Sequence, residues 1–91
     1  MARYVIWSID AWADGEGGWT CNDRFYVAEV EMPDTKEITD ADIINTLYER
    51  EIITTNKVGK FHIWDLSFEP LVMQVNNADT EEPLYEIMEV R

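Results

Sequence analysis

The stretch DAWADGEGGWTCNDRF, residues 10–25, is dense in side chains whose types and spacing could do chemistry. Its carboxylates are oxygen ligands of the kind that hold Ca²⁺, and they flank three glycines: Asp10, Asp14, Glu16 and Asp23. An EF-hand loop that began at Asp10 would need an oxygen ligand at its third position and a glutamate at its twelfth. The chain has Trp12 and Cys21 there. We therefore predict no resident metal, with a looser oxygen site on these acids as the alternative.

A zinc site or a catalytic nucleophile would have to use Cys21 and His62, the only cysteine and the only histidine. A structural zinc site usually takes four protein ligands, and no nucleophile motif surrounds Cys21. His62 alternates in phase with Trp64, Leu66 and Phe68, which predicts a structural role on an apolar strand face. We predict no catalytic residue and no cofactor. The alternative is a metal-binding or catalytic protein that uses the loop acids with Cys21 and His62.

Recognition of another protein is the function that this segment favours. Tryptophan buries a large area with little loss of entropy and is enriched at binding hot spots. Trp12 and Trp19 bracket the glycines, although the same two rings could instead fold back as a lid on the end of a sheet. The predicted partner-binding residues combine these tryptophans with nearby acids and with two acids of the following strand: Trp12, Asp14, Glu16, Trp19, Glu29 and Glu31.

The net charge narrows the classes of partner. Nineteen acidic residues against seven lysines and arginines leave a formal charge of −12. This excess argues against direct binding to nucleic acid, which needs a basic patch, and against an anionic membrane surface. It leaves cations and basic proteins as candidate partners, for example a nucleic-acid-binding protein whose groove the acids would occupy as mimics of nucleic acid. A surface that only keeps the protein dispersed is the alternative.

The spacing of apolar residues predicts the strands and the helix that position these residues. Two-residue alternation predicts strands over 3–9 and 23–32, paired as an antiparallel hairpin across a wide loop at 10–22. Thr39 is a good helix N-cap with Asp42 three residues later, and helical spacing of apolar residues then predicts a helix over about 40–50. Further strands are predicted at 60–69, 71–75 and 84–90.

The resulting order, β-β-α-β-β-β, predicts one α+β domain over residues 1–91: a mostly antiparallel sheet of four to five strands with one helix on one face. His62, Trp64, Leu66 and Phe68 are predicted to share the core face. A homodimer could form if the strand Leu71–Val75 or the C-terminal strand lies at the edge of the sheet. The single cysteine and the lack of a signal or spanning segment favour the cytoplasm.

Over most of its length the chain resembles small acidic proteins encoded by bacteriophages. The resemblance rests on YVIW, the loop DAWADGEGGW, the strand NDRFYVAEVEMP, a short capped helix and a closing PLYEI. It implies an accessory protein that acts inside a bacterial host and binds a host protein, for example as an inhibitor of the anti-restriction or anti-CRISPR kind. We therefore predict a non-enzymatic binding protein.

Overall fold

The computed structural model describes all 91 residues as one antiparallel sheet with a single α-helix on one side. The five strands lie in the order β2-β1-β5-β4-β3. The elements are β1 (Ala2–Ala13), β2 (Trp19–Met32), α1 (Asp40–Glu49), a short 3-10 turn (Val58–Lys60), β3 (Phe61–Phe68), β4 (Leu71–Asn77) and β5 (Pro83–Glu89). The predicted α+β class and element order are confirmed. The structure contains no helix with the length and apolar character of a membrane span.

The β1–β2 hairpin is longer than predicted, and its loop is short. Pairing runs from Ala2 with Met32 to Ala13 with Trp19, so the predicted wide loop at 10–22 is mostly strand. The turn closes because one Asp14 carboxylate oxygen accepts from the backbone nitrogens of Glu16 (2.8 Å) and Gly18 (3.1 Å). The prediction was wrong because the glycines and acids that are typical of a loop lie only in the middle of the segment. The residues on both sides of them pair as strands.

Two bulges shape this hairpin. The register shifts between Ile6 and Trp7 and again between Ile9 and Ala11, and each shift adds one residue to β2. A bulge bends its strand and increases the local twist. Because β1 carries no extra residue, its side chains still alternate strictly between the two faces of the sheet.

The helix forms where the sequence predicts it, with the predicted capping box. The Asp42 backbone nitrogen donates to the Thr39 hydroxyl (3.2 Å), and the Asp42 carboxylate accepts from the Thr39 backbone nitrogen (3.0 Å). Two otherwise unpaired backbone donors are satisfied in this way. The apolar stripe of the helix then packs on the sheet through Ile43, Ile44 and Leu47, all buried.

The core lies entirely between the helix and one face of the sheet, which we call the covered face. Its sheet residues alternate along the strands, as expected for a face packed on a helix. The buried apolar residues of this core are Tyr4, Ile6, Val30, Met32, Ile43, Ile44, Leu47, Ile53, Leu71, Met73, Val75 and Ile87.

The predicted core face of β3 is wrong. Trp64, Leu66 and Phe68 are 51%, 53% and 75% exposed, and His62 is exposed as well. These residues do not even share one face, because a register shift makes Leu66 an extra residue between Asp65 and Ser67. A shift of one residue sends every following side chain to the opposite face. Trp64 therefore points away from the helix, whereas Phe68 pairs with core residue Leu71 on the helix side.

The edges of the sheet are also not the predicted ones. The segment Leu71–Val75 belongs to β4, which pairs with both β3 and β5, and the C-terminal strand β5 pairs with both β1 and β4. Neither strand has a free edge, so neither can pair with its copy in a dimer. The free edges belong to β2 and β3.

Candidate protein-binding surfaces

The hairpin carries a projecting ribbon, residues 9–24, which we call the arm. Pairing of β1 with β5 ends at Ser8 and Tyr85, whereas pairing of β1 with β2 continues to Ala13 and Trp19. The arm is therefore a two-stranded extension beyond the five-stranded part of the sheet. Residues 9–23 contain four acidic residues and no lysine or arginine.

One side of the arm, together with Phe25 at its base, places an exposed aromatic ring on each side of a carboxylate. Asp10 and Trp12 share a face because they alternate with Ala11 on β1, and Phe25 shares it because it pairs with Ser8. Trp12 is 49% exposed and Phe25 is 56% exposed. Asp10 is exposed and accepts one hydrogen bond, from the Asn22 side chain at 3.3 Å. We call Asp10, Trp12 and Phe25 the arm face.

Trp19 attaches the arm to the body of the protein. Its indole nitrogen donates to the backbone carbonyl of Thr80, in the turn between β4 and β5, at 3.0 Å. The sequence left two roles open for these tryptophans, a binding element or a lid on the end of the sheet, and neither role fits both rings. Trp19 is partly buried and anchors the arm, whereas Trp12 is exposed on the arm face.

The six predicted binding residues do not form one surface. Trp12, Asp14, Glu16 and Trp19 lie at the tip of the arm, whereas Glu29 and Glu31 lie near the other end of β2. The twelve residue steps from Trp19 to Glu31 span on the order of 35–40 Å as a strand. Glu29 is moreover bound to Arg3 at 2.7 Å, and Arg50 lines the same open cleft as Glu31.

The residues of the alternative chemical site lie apart. Cys21 is exposed on β2, at one edge of the sheet, and His62 is exposed on β3, at the other. His62 pairs with Glu81 and packs edge-on against Trp64, with 5.7 Å between ring centres. No group of three or more His, Cys, Asp or Glu side chains is placed to hold a metal ion.

A second surface, which sequence reasoning missed, is the side of the sheet that the helix does not cover. We call it the uncovered face. A row of side chains crosses all five strands there, set by the register: Tyr26, Trp7, Glu86, Gln74 and Trp64. Next to it runs a second row, with Val5, Met88 and Val72 at its centre. The available signal was β1, which is apolar on both sides although the chain has only one helix to cover a sheet.

Trp7 lies within this face among close neighbours. Its ring packs edge-on against Tyr26 with 6.0 Å between centres, and the Arg24 guanidinium carbon lies 5.8 Å from its centre. Arg24 in turn pairs with the carboxylate of Glu86. The indole nitrogen of Trp7 is buried without a hydrogen-bond partner. Arg24 and Glu86 on this face are thus engaged with their neighbours.

Comparisons with known proteins identify no family for this chain. No protein-family model, no curated protein and no solved structure matches it. Its function therefore has to be inferred from the chemistry of the arm face and of the uncovered face.

Proposed function

We propose that this chain is a non-enzymatic binding protein whose arm face takes a basic segment of another protein. The observation that supports the proposal is the exposed Trp12 ring beside the Asp10 carboxylate on an ordered, acidic ribbon. This pairing of groups suits an arginine or lysine side chain better than an apolar or acidic one.

The chemistry of the arm face offers a cation two kinds of contact at once. An arginine or lysine head group is attracted to the face of an aromatic ring, and tryptophan is the strongest aromatic partner. The Asp10 carboxylate lies two residues from Trp12, about 7 Å along the strand. It can therefore accept hydrogen bonds from the same guanidinium or from the next basic side chain of the partner.

The rest of the arm would act on the partner at longer range. Asp14, Glu16 and Asp23 add negative charge, and the arm's one basic residue, Arg24, is paired with Glu86. Such a field speeds the approach of a basic partner and loses strength as salt is added. A nucleic-acid-binding protein presents basic side chains in this way. We place the protein in the cytoplasm of a bacterial host, as a phage-encoded accessory protein that occupies such a surface.

The test uses a ten-residue peptide of alternating arginine and serine as the probe, with an alternating glutamate and serine peptide for comparison. We expect the arginine peptide to bind in calorimetry, to change the tryptophan fluorescence, and to bind more weakly at high salt. Asp10→Asn and Trp12→Ala should each weaken binding by about tenfold, since a charge-assisted or cation–π contact contributes roughly 1–2 kcal/mol.

Matched controls come from the exposed side of α1, where Tyr48 is 43% exposed and Glu49 is exposed. Glu49→Gln removes the same charge as Asp10→Asn, and Tyr48→Ala removes an exposed ring as Trp12→Ala does. Neither should alter binding by more than about twofold. Equal losses in the helix and arm variants, or no binding of the arginine peptide at low salt, would refute a specific site on the arm.

A further inference from the structure

We propose that two copies of this chain pack their uncovered faces against each other to form a symmetric dimer. This inference concerns a different surface from the arm face and does not depend on the function proposed for it. It rests on the residue types of the uncovered face, on its charge balance and on its area.

The uncovered face carries an apolar row among paired charges. An antiparallel sheet with one solvated side normally carries polar residues on that side. Here Val5, Val72 and Met88 form a continuous apolar row across the three inner strands, and aromatic residues lie beside it. Tyr26 is 62% exposed and Trp64 is 51% exposed. Contiguous apolar and aromatic surface of this kind is typical of an interaction site.

The net charge of the uncovered face favours a second copy of the chain over a basic partner. The arginines and glutamates that the register places on this face are Arg3, Arg24, Glu29, Glu31 and Glu86, and Glu81 joins them from the β4–β5 turn through its contacts with His62 and Trp64. These six groups sum to −2 (two positive, four negative), while the whole chain carries −12. Four of these six groups are already joined as the pairs Arg3–Glu29 and Arg24–Glu86, and Glu81 is paired with His62. The face offers little to a basic partner, whereas an identical, nearly neutral face can approach without strong repulsion.

The area of the face is enough for a weak specific dimer. Five strands at about 4.8 Å make it about 24 Å wide, and the seven residues from Arg3 to Ile9 span about 20 Å. If each face is treated as flat, two such faces bury a total of about 1,000 Å². This area is close to the lower bound for a specific interface. Face-to-face packing of two sheets is a standard arrangement, and a twofold axis makes one patch complementary to itself. We therefore expect micromolar rather than nanomolar affinity.

The experiment is sedimentation equilibrium of the full chain over a wide concentration range at physiological salt. The expected result is a reversible monomer–dimer equilibrium with a dissociation constant on the order of micromolar. Tyr26→Lys and Trp64→Lys each place a charge in the interface and should weaken association by at least about tenfold. Both residues are more than half exposed, so the variants should fold, and far-UV circular dichroism checks that they do.

Controls separate the uncovered face from other exposed aromatic residues. Phe68→Lys and Tyr48→Lys make the same kind of change on the helix side of the molecule, where Phe68 is 75% exposed, and should leave association unchanged. Trp12→Ala should also leave it unchanged, which distinguishes this surface from the arm face. A monomer at every concentration, or equal weakening by Phe68→Lys or Tyr48→Lys, would overturn the proposal.

Discussion

The indole nitrogen of Trp19 donates to the backbone carbonyl of Thr80, 61 residues away in the chain, at 3.0 Å. The acceptor lies in a turn that is itself held, because the Asn77 side chain accepts from the backbone nitrogens of Asp79 and Thr80. The arm is thus fixed at two places, in the sheet and at this turn. A fixed arm presents Trp12 with little entropy left to lose on binding, which favours affinity.

Replacement of Trp19 by phenylalanine should release the arm without unfolding the sheet. The variant keeps an aromatic ring but loses the donor to Thr80, at a cost of about 0.5–1.5 kcal/mol. We expect faster amide hydrogen exchange in residues 10–23 and unchanged exchange in β4. Trp12→Phe is the matched control, because Trp12 makes no such hydrogen bond. Equal protection of the arm in Trp19→Phe and in the unaltered protein would show that the contact does not hold it.

Loss of the helix cap should destabilise the whole protein, since α1 supplies one side of the only core. Thr39→Ala removes the acceptor for the Asp42 backbone nitrogen and should lower the free energy of unfolding by about 1 kcal/mol. Thr54→Ala is a suitable control, because Thr54 is exposed and outside the helix. Urea unfolding measures both. A double variant with Asp42→Ala should lose less than the sum of the single losses, because the two residues cap each other.

The parts of the fold that the sequence predicts are those fixed by local chemistry. The capping box at Thr39 and Asp42 and the order of strands and helix along the chain depend on near neighbours, and they are confirmed. Bulges depend on the partner strand, so the extra residue at Leu66 leaves no mark in the alternation of β3. The prediction that Trp64 and Phe68 share a face therefore failed.

The candidate surfaces were predictable only in part, for a related reason. Trp12 and Trp19 were identified from residue type, but which ring is exposed depends on Thr80, far along the chain. Whether one face of the sheet stays uncovered depends on how many helices the chain has to pack against it. One ten-residue helix covers one side of five strands, which leaves residues with core-like alternation facing solvent.

Truncation of single side chains can test the exposed positions of Trp64 and Phe68, which the sequence predicted to lie in the core. Trp64→Ala and Phe68→Ala should each cost less than about 1 kcal/mol, because these side chains are more than half exposed. Leu47→Ala should cost about 2–5 kcal/mol, because Leu47 is 1% exposed and its removal leaves a cavity. Denaturant unfolding at low protein concentration, where a dimer would dissociate, gives all three values. A loss for Trp64→Ala as large as that for Leu47→Ala would contradict the exposed position of Trp64.

The stability of the protein at alkaline pH should depend on Tyr4. This side chain is fully buried, and its hydroxyl donates to the Pro33 carbonyl at 2.8 Å. Burial, and then the negative charges of Glu89 and Asp34, raise the pKa of Tyr4 above its usual value of 10.0. The folded protein therefore keeps this proton at a pH where the unfolded chain has already lost it. The stabilisation is complete below pH 10 and is lost as pH rises from there through the higher pKa of the folded state.

Tyr4→Phe separates this ionisation from the general effect of high pH. Near neutral pH the variant should be less stable by about 1 kcal/mol, because it lacks the hydrogen bond to Pro33. Above about pH 10 the difference in free energy of unfolding between the two proteins should shrink as pH rises, since only the unaltered one loses the stabilisation from Tyr4. Burial also raises the pKa of Tyr85. The difference in free energy of unfolding between the unaltered protein and Tyr85→Phe should therefore also shrink as pH rises. Parallel pH profiles for the unaltered protein and Tyr4→Phe would show that Tyr4 ionises equally easily in both states.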